Sequence, residues 1–233
     1  MANPISTSIK LVTFDAGGTL LHPYPSVGAV YQKVLKQHGL DYPIDALNEN
    51  VSSAFRTISK DSSILDGESR ELSFWKDIVA ASIAPFKQQP KNFDNLFHDL
   101  WNEFSSGSCW RVSEGTHETL QALKDAGPTI ALLTNWDGRV HNVIRETELS
   151  PYFDHSFVSS EIGLEKPDLQ IFRHVENATG ISSNQILHIG DSIKHDIVGA
   201  TEAGWNALLI DPEGLLESDV PTISTLSQIL DYI

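Results

Sequence analysis

A single cysteine, Cys109, excludes any intramolecular disulfide. No catalytic motif surrounds it, and it reads as a small buried hydrophobe. Basic residues are scarce: sixteen Lys and Arg face thirty-one Asp and Glu, a net charge of −15 with histidine neutral. Such a surface repels nucleic acid and anionic lipid, so neither is an expected partner. A site for anionic ligands would have to gather the few cations locally. Long apolar runs are also missing. None approaches the ~20 residues that a bilayer crossing needs. The opening MANPISTSIK lacks the charged-then-apolar build of a secretion signal. The expectation is a cytoplasmic protein without a membrane partner.

What is present is apolar periodicity of two kinds. Ile9–Phe14 is a short apolar run that ends at Asp15 and the pair Gly17-Gly18, a buried strand entering a tight loop. The next clear strand, Thr129–Leu133, lies more than a hundred residues on. Between them Val27–His38, Ile44–Ile58, Leu72–Ile83 and Phe93–Phe104 carry apolar residues at helical spacing. Beyond Thr129 the pattern alternates: helix Arg139–Thr147, strand His155–Val158, helix Leu169–Thr179, strand Gln185–Ile189, helix Ile193–Ala203, strand Ala207–Ile210 and a last helix from Ile223. Alternation of this kind predicts an α/β fold with a doubly wound parallel sheet. The expected domains are an α/β core of residues 1–22 and 110–233, and an inserted helical unit of residues 23–109.

Ligands of open α/β sheets gather at the carboxyl ends of the strands. Four segments put polar groups there. Asp15, facing a glycine loop, suits a nucleophile or a metal ligand, although a plain turn would also explain Asp-x-Gly-Gly-Thr. Thr134 and Asn135 end TIALLTN and could hold a phosphate oxygen, or form a turn before Asp137-Gly138. Lys166 in GLEKPD could neutralise a carboxylate and a phosphoryl group, or be a solvated loop lysine. Asp191 and Asp196 in GDSIKHD could join Asp15 as oxygen ligands of Mg²⁺, or serve as a helix N-cap and a dipole-favourable acid. The combination of all four favours one shared site.

In this order, FDAGGTL, LLTN, GLEKPD and GDSIKHD resemble the four signature motifs of the haloacid dehalogenase-like hydrolases. The resemblance covers nearly the whole chain and includes a helical cap between the first two motifs, the C1 arrangement, on a Rossmann-like core. YQKVLKQHGL, SRELSFWKDIV and GDSIKHDIVGA add a narrower likeness to one branch of the family. The resemblance implies that Asp15 attacks phosphorus and carries an aspartyl-phosphate. Thr134 and Asn135 would bind phosphoryl oxygens and Lys166 would offset transition-state charge. Asp15, Asp191 and the Gly17 carbonyl would bind Mg²⁺, with Asp196 supporting the metal waters or Lys166. The substrate is expected to be a small phosphorylated molecule. The sequence sets neither its identity nor the oligomeric state.

One expected group is missing. Family phosphatases usually carry a second aspartate two residues after the nucleophile, which protonates the leaving oxygen and then activates water. Here that position is Gly17. General acid–base catalysis contributes ~10²–10⁴-fold, so turnover of ordinary phosphomonoesters should be slow. His22 is a candidate substitute. Two other readings stay open. One is a catalytically impaired protein that binds a phosphate ligand or a protein partner. The other is a 2-haloacid dehalogenase, whose halide leaves without a proton. Dehalogenases of the family usually have an aromatic group at the place of Gly17 and do not keep the GDxxxxD motif, so Asp191 and Asp196 argue against that reading. In the inserted unit, Arg56, Lys60 and Arg70 are candidate substrate cations, and Trp75, Trp101 and Trp110 read as packing. Trp136 is expected near the site.

Overall fold

The structure, a computed structural model, describes residues 8–233. Strand β1 (Leu11–Phe14) is buried along its whole length, as an uninterrupted apolar run requires in a sheet covered on both faces. The chain then turns through Gly17-Gly18 into β2 (Leu21–Pro23) and four helices: α1 (Val27–Gln37), α2 (Ile44–Thr57), α3 (Gly67–Ile83) and α4 (Phe93–Glu103). It returns through β3 (Trp110–Val112), which pairs with β2 in a two-stranded ribbon. There follow α5 (Thr116–Ala126), β4 (Thr129–Thr134), α6 (Arg139–Glu146), β5 (His155–Val158), α7 (Ser159–Ile162), α8 (Leu169–Thr179) and β6 (Ile186–Gly190). A π-helical turn, Ile193–Val198, leads into α9 (Gly199–Glu202), then β7 (Asn206–Ile210) and β8 (Thr222–Ile223).

The main sheet has six strands in the order β5-β4-β1-β6-β7-β8, all parallel. This is the doubly wound α/β sheet expected from the alternation. Strand β1 sits in the middle, between β4 and β6, where the winding reverses direction. Phe14 is in register with Leu132 on one side and Ile189 on the other. Asp15, Thr134 and Asp191 therefore emerge within a residue or two of the same level, at the switch point where such sheets bind ligands.

Two compact units divide the chain. Among the described residues, one holds 8–21 with Val112–Trp136 and Leu149–Ile233; the other holds His22–Arg111 and Asp137–Glu148. The first packs Leu11, Leu133, Phe172, Trp205 and Leu209 in one apolar cluster. The second packs Tyr31, Leu47, Phe74, Ile78, Leu96 and Phe97 among α1–α4. Helix α6 belongs to the second unit although its residues lie far from α1–α4 in sequence. Arg139 explains this. Its guanidinium grips both carboxylate oxygens of Asp137 (2.7 and 2.8 Å), lies 3.4 Å from the Trp101 ring centroid and donates to the Trp101 carbonyl. A planar, bidentate cation stacked on an indole is a strong tether.

Several local features differ from the sequence pattern. Helix α3 starts at Gly67, not Leu72, because Asp66 accepts the Ser69 N–H and caps a polar first turn that shows no apolar period. Helix α5, flanked by Gly115 and Gly127, is an added element. The helix expected from Ile223 is instead a short edge strand and a 3₁₀ stretch, Leu226–Tyr232, because buried Ile223 pairs with Ile210. Among the described residues no helix is long and apolar enough to cross a membrane.

Candidate active site

Asp15 follows β1 directly, and its N–H donates to the Ile189 carbonyl of β6 (2.9 Å). Its side chain meets Lys166, which comes from the loop before α8. The Lys166 ammonium donates to three oxygens: Asp15 Oδ1 (2.8 Å), Asp196 Oδ1 (2.5 Å) and the Leu133 carbonyl (2.8 Å). All three N–H groups of the ammonium are thereby used. Lys166 is only 2% exposed. A lysine so deeply buried persists only when paired, since an isolated charge would be strongly penalised.

The loop that delivers Lys166 is held by Asn135. The Asn135 carbonyl oxygen accepts the Lys166 N–H, and its amide donates to the Lys166 carbonyl, both at 2.8 Å. The Asn135 side chain thus fixes Lys166 through its backbone, a use the sequence did not reveal. Thr134, the last residue of β4, is buried beside it.

Asp196 sits in the π-helical turn. There the Ser192 carbonyl accepts from both Asp196 N–H (2.9 Å) and Ile197 N–H (3.2 Å), which widens the turn. Asp196 Oδ2 accepts the Ser192 N–H (3.0 Å). The wide turn lays this carboxylate against the end of β6, where a Cβ on Gly190 would meet Asp196 Cγ at 2.2 Å, so only glycine fits. Gly18 is constrained in the same way. Its φ is +87°, and a Cβ there would lie 2.3 Å from Asp191 Oδ2. Asp191, at the mouth of β6, receives a long hydrogen bond from Thr19 (3.4 Å). Gly18 therefore lets Asp191 approach the first loop, and Gly190 lets Asp196 lie against the end of β6.

The result is a group of three carboxylates, Asp15, Asp191 and Asp196, with one oxygen of each within 4.8 Å of the others. Among the described residues, Lys166 is the one cation paired with them. Burial, then the neighbouring Asp15 and Asp196, push the Asp191 carboxyl up to about 7. Burial also raises Asp15 against the lowering pull of Lys166. Asp196 would be raised by burial, but Lys166 and His188 hold it well below the usual carboxylate range. Lys166 loses by burial yet is held above its ordinary value by Asp15 and Asp196. A cluster with more negative than positive charge, made of oxygen donors alone, fits a hard divalent cation such as Mg²⁺. Asp15 and Asp191 suit direct coordination. Asp196 has both oxygens committed to protein donors.

Gly17 leaves space. A Cβ there would find only Trp136 Cζ3, at an ordinary 3.7 Å, and its φ lies outside the left-handed region. Trp136 is thus next to the place of the missing aspartate. His22 belongs to the other unit, where burial and then Arg111 lower its pKa. Within that unit Lys60 pairs with Glu71, Arg56 donates to Ser52, and Arg70 to the Ile64 carbonyl. Sequence reasoning overlooked His188 and Thr13. The only signal was a polar ring in the apolar run ILHIG.

With this geometry in view, comparison with known proteins identifies the class. The model of the haloacid dehalogenase-like hydrolases matches residues 9–204, and the chain belongs to that family. Haloacid dehalogenase-like hydrolase domain-containing protein 3 of Bos taurus is 28% identical over 248 residues, which span 97% of this chain and 95% of the relative. Among solved structures, YfnB of Bacillus subtilis, described as bound to magnesium, superposes with a TM-score of 0.78 at 18% identity, covering 97% and 98% of the two chains. L-2-haloacid dehalogenase of Xanthobacter autotrophicus superposes at 0.73 and 16% identity, covering 95% and 96%. At these identities the likeness is one of fold, and the reaction must be argued from the site.

Proposed function

We propose that this hydrolase is an Mg²⁺-dependent phosphatase, working in the cytoplasm on a small, activated phosphorylated substrate through an aspartyl-phosphate on Asp15. The observation that carries the reading is the Lys166 ammonium shared between Asp15 and Asp196, beside an Asp191 carboxylate that lacks a matching cation. A haloacid site needs no such surplus of carboxylates, whereas phosphoryl transfer needs positioning and charge neutralisation.

Asp15 and Asp191 would hold the ion, joined by the Gly17 carbonyl. When bound, Mg²⁺ neutralises charge between the phosphoryl group and the attacking carboxylate. Asp15, oriented by Lys166, attacks phosphorus through one carboxylate oxygen, and the leaving oxygen departs with the electron pair of the broken P–O bond. Thr134 binds the phosphoryl oxygens, the Lys166 charge offsets theirs while its N–H groups stay on Asp15, Asp196 and the Leu133 carbonyl, and Asn135 keeps Lys166 in place. Water then attacks phosphorus, the P–O bond to Asp15 breaks and returns its electron pair to the carboxylate, and inorganic phosphate leaves carrying the proton of water. With Gly17 in the family's acid–base position, no side chain there can protonate the leaving oxygen or take the proton of water. Acyl and aryl phosphates, whose leaving groups depart as stable anions, are therefore the favoured substrate class. The helical second unit is assigned the role of a cap that chooses among them.

The test is turnover of p-nitrophenyl phosphate and acetyl phosphate with Mg²⁺ and with EDTA. Mg²⁺-dependent hydrolysis that disappears in Asp15→Asn is expected. Gly17 also favours a second reading, a phosphate-ligand binder with little turnover. Tight Mg²⁺ and orthovanadate binding without hydrolysis of either substrate would establish that reading instead.

A further inference from the structure

His188 lies in the middle of β6, fully buried, two residues before Gly190-Asp191. Its cross-strand partner is Thr13 of β1, two residues before Asp15. One ring nitrogen, Nδ1, is 2.8 Å from Thr13 Oγ1, and the other, Nε2, is 3.2 Å from Asp196 Oδ1. The rings of Phe172 and Trp205 meet the imidazole edge-on at centroid distances of 6.3 and 6.4 Å, which fixes its plane. An apolar residue would satisfy a central strand at lower cost, since both nitrogens of a buried imidazole need partners.

The partners select one tautomer. Asp196 Oδ1 is a carboxylate oxygen and an acceptor only, so Nε2 must carry the proton. Nδ1 is then a lone pair and accepts the Thr13 hydroxyl at 2.8 Å, a closer acceptor than the Leu187 carbonyl at 3.5 Å. This assignment uses every group: Asp196 Oδ1 receives Lys166 and His188, and Oδ2 receives the Ser192 N–H. A hydrogen-bonded chain runs Thr13–His188–Asp196–Lys166–Asp15, leaving β1 at residue 13 and ending at residue 15, just past the strand.

We propose that His188 is a positioning residue that sets the place of Asp196 and, through it, aims the Lys166 ammonium at Asp15. The proposal rests on the phosphatase reading of the same site. His188 touches no reacting atom. It fixes the carboxylate on which the lysine is pinned, as outer partners of a charged site commonly do. Thr13, by donating to Nδ1, locks the proton on Nε2.

Three variants separate positioning from packing. His188→Gln places an amide N–H near Nε2 and keeps the donor to Asp196. His188→Asn has polar atoms only near the place of Nδ1. His188→Phe fills the space without a donor. With p-nitrophenyl phosphate and Mg²⁺, kcat should fall roughly 10- to 100-fold in the Asn and Phe variants, with KM little changed, and Gln should recover most of the loss. If Phe does not fold, the Asn and Gln pair gives the same comparison. A folded Asn or Phe variant with wild-type kcat would overturn the proposal, as would Gln and Asn falling equally. Nitrogen-15 NMR of the imidazole provides a readout that needs no turnover. A proton on Nε2 and a bare Nδ1 are expected in the wild type, with that preference lost in Thr13→Val. A proton on Nδ1 alone would overturn the inference. If the wild type hydrolyses nothing, the phosphatase reading falls, and the tautomer alone decides the place of His188.

Discussion

Lys166 and Asp15 are 151 positions apart in the chain, and their side chains meet at 2.8 Å inside the protein. The pair is an ammonium committed to two carboxylates, so its removal has two separable consequences. Lys166→Met leaves Asp15 and Asp196 buried without their cation. Loss of one partner from a buried pair costs on the order of 3–5 kcal/mol, measured by urea denaturation in EDTA. Activity should fall by about 10²–10³-fold, the usual effect of losing one preorganised electrostatic group. Unchanged stability in the metal-free variant would mean that the carboxylates find other partners.

Gly17 invites the opposite experiment. A Cβ there meets only Trp136 at an ordinary contact distance, and no left-handed backbone forbids a side chain. Gly17→Asp should fold and should raise turnover of an alkyl phosphate such as glycerol phosphate by about 10–10²-fold, part of the usual range for a general acid–base. Hydrolysis of p-nitrophenyl phosphate, with its good leaving group, should gain less. Equal gains on both substrates would show that leaving-group protonation is not what Gly17 withholds.

Asp191 links the metal to pH. Burial, with Asp15 and Asp196 nearby, raises its pKa from 3.8 to about 7. Between those values the folded protein holds a proton on Asp191 that the unfolded chain releases, so the Asp191 contribution to the stability of the metal-free protein falls as pH rises through that window, whereas His188, with its pKa lowered by burial, contributes in the opposite sense below its ordinary value. Asp196 shifts the other way, and its contribution fades only below the ordinary carboxylate pKa, outside the window. Mg²⁺ must displace the Asp191 proton at low pH and meets a free carboxylate at high pH. The rise in Tm produced by Mg²⁺ should therefore grow between about pH 5.5 and 8, and should become flatter in Asp191→Asn. A pH-independent increment in the wild type would remove Asp191 from the metal site.

Gly190→Ala tests the close approach of Asp196 to β6. A Cβ would overlap the carboxylate carbon at 2.2 Å, so the π-helical turn must shift. Overpacking of this kind costs about 1–3 kcal/mol, read as a fall in Tm, and kcat should drop with it because Lys166 loses its anchor.

Much of this site was legible in the sequence because strand ends in a parallel sheet are neighbours in space. The runs before Asp15, Thr134 and Asp191 announce three strands, and the alternation of elements puts them side by side. Lys166 could be named but not placed, since its position depends on the two-way grip of Asn135, which no periodicity encodes. His188 and Thr13 escaped notice for a similar reason. A buried polar residue within an apolar strand resembles packing until its cross-strand partner is known. The π-helical turn at Ile193–Val198 could not be told from an α-helix, because both keep apolar residues on one face over so few positions. At the end of the chain, pairing of Ile223 with the sheet edge overrode a helical pattern.

The most direct measurement follows from the absence of an acid–base at Gly17. An aspartyl-phosphate formed from an activated substrate has no side chain at that position to activate water, so it should accumulate. Acid quench of the protein after mixing with acetyl phosphate and Mg²⁺, followed by peptide mass spectrometry, should find a phosphoryl group on Asp15 approaching one per chain. It should be missing in EDTA and in Asp15→Asn. Hydrolysis in Mg²⁺ that leaves Asp15 unmodified at every time point, or a phosphoryl group carried by a different residue, would contradict nucleophilic attack by Asp15.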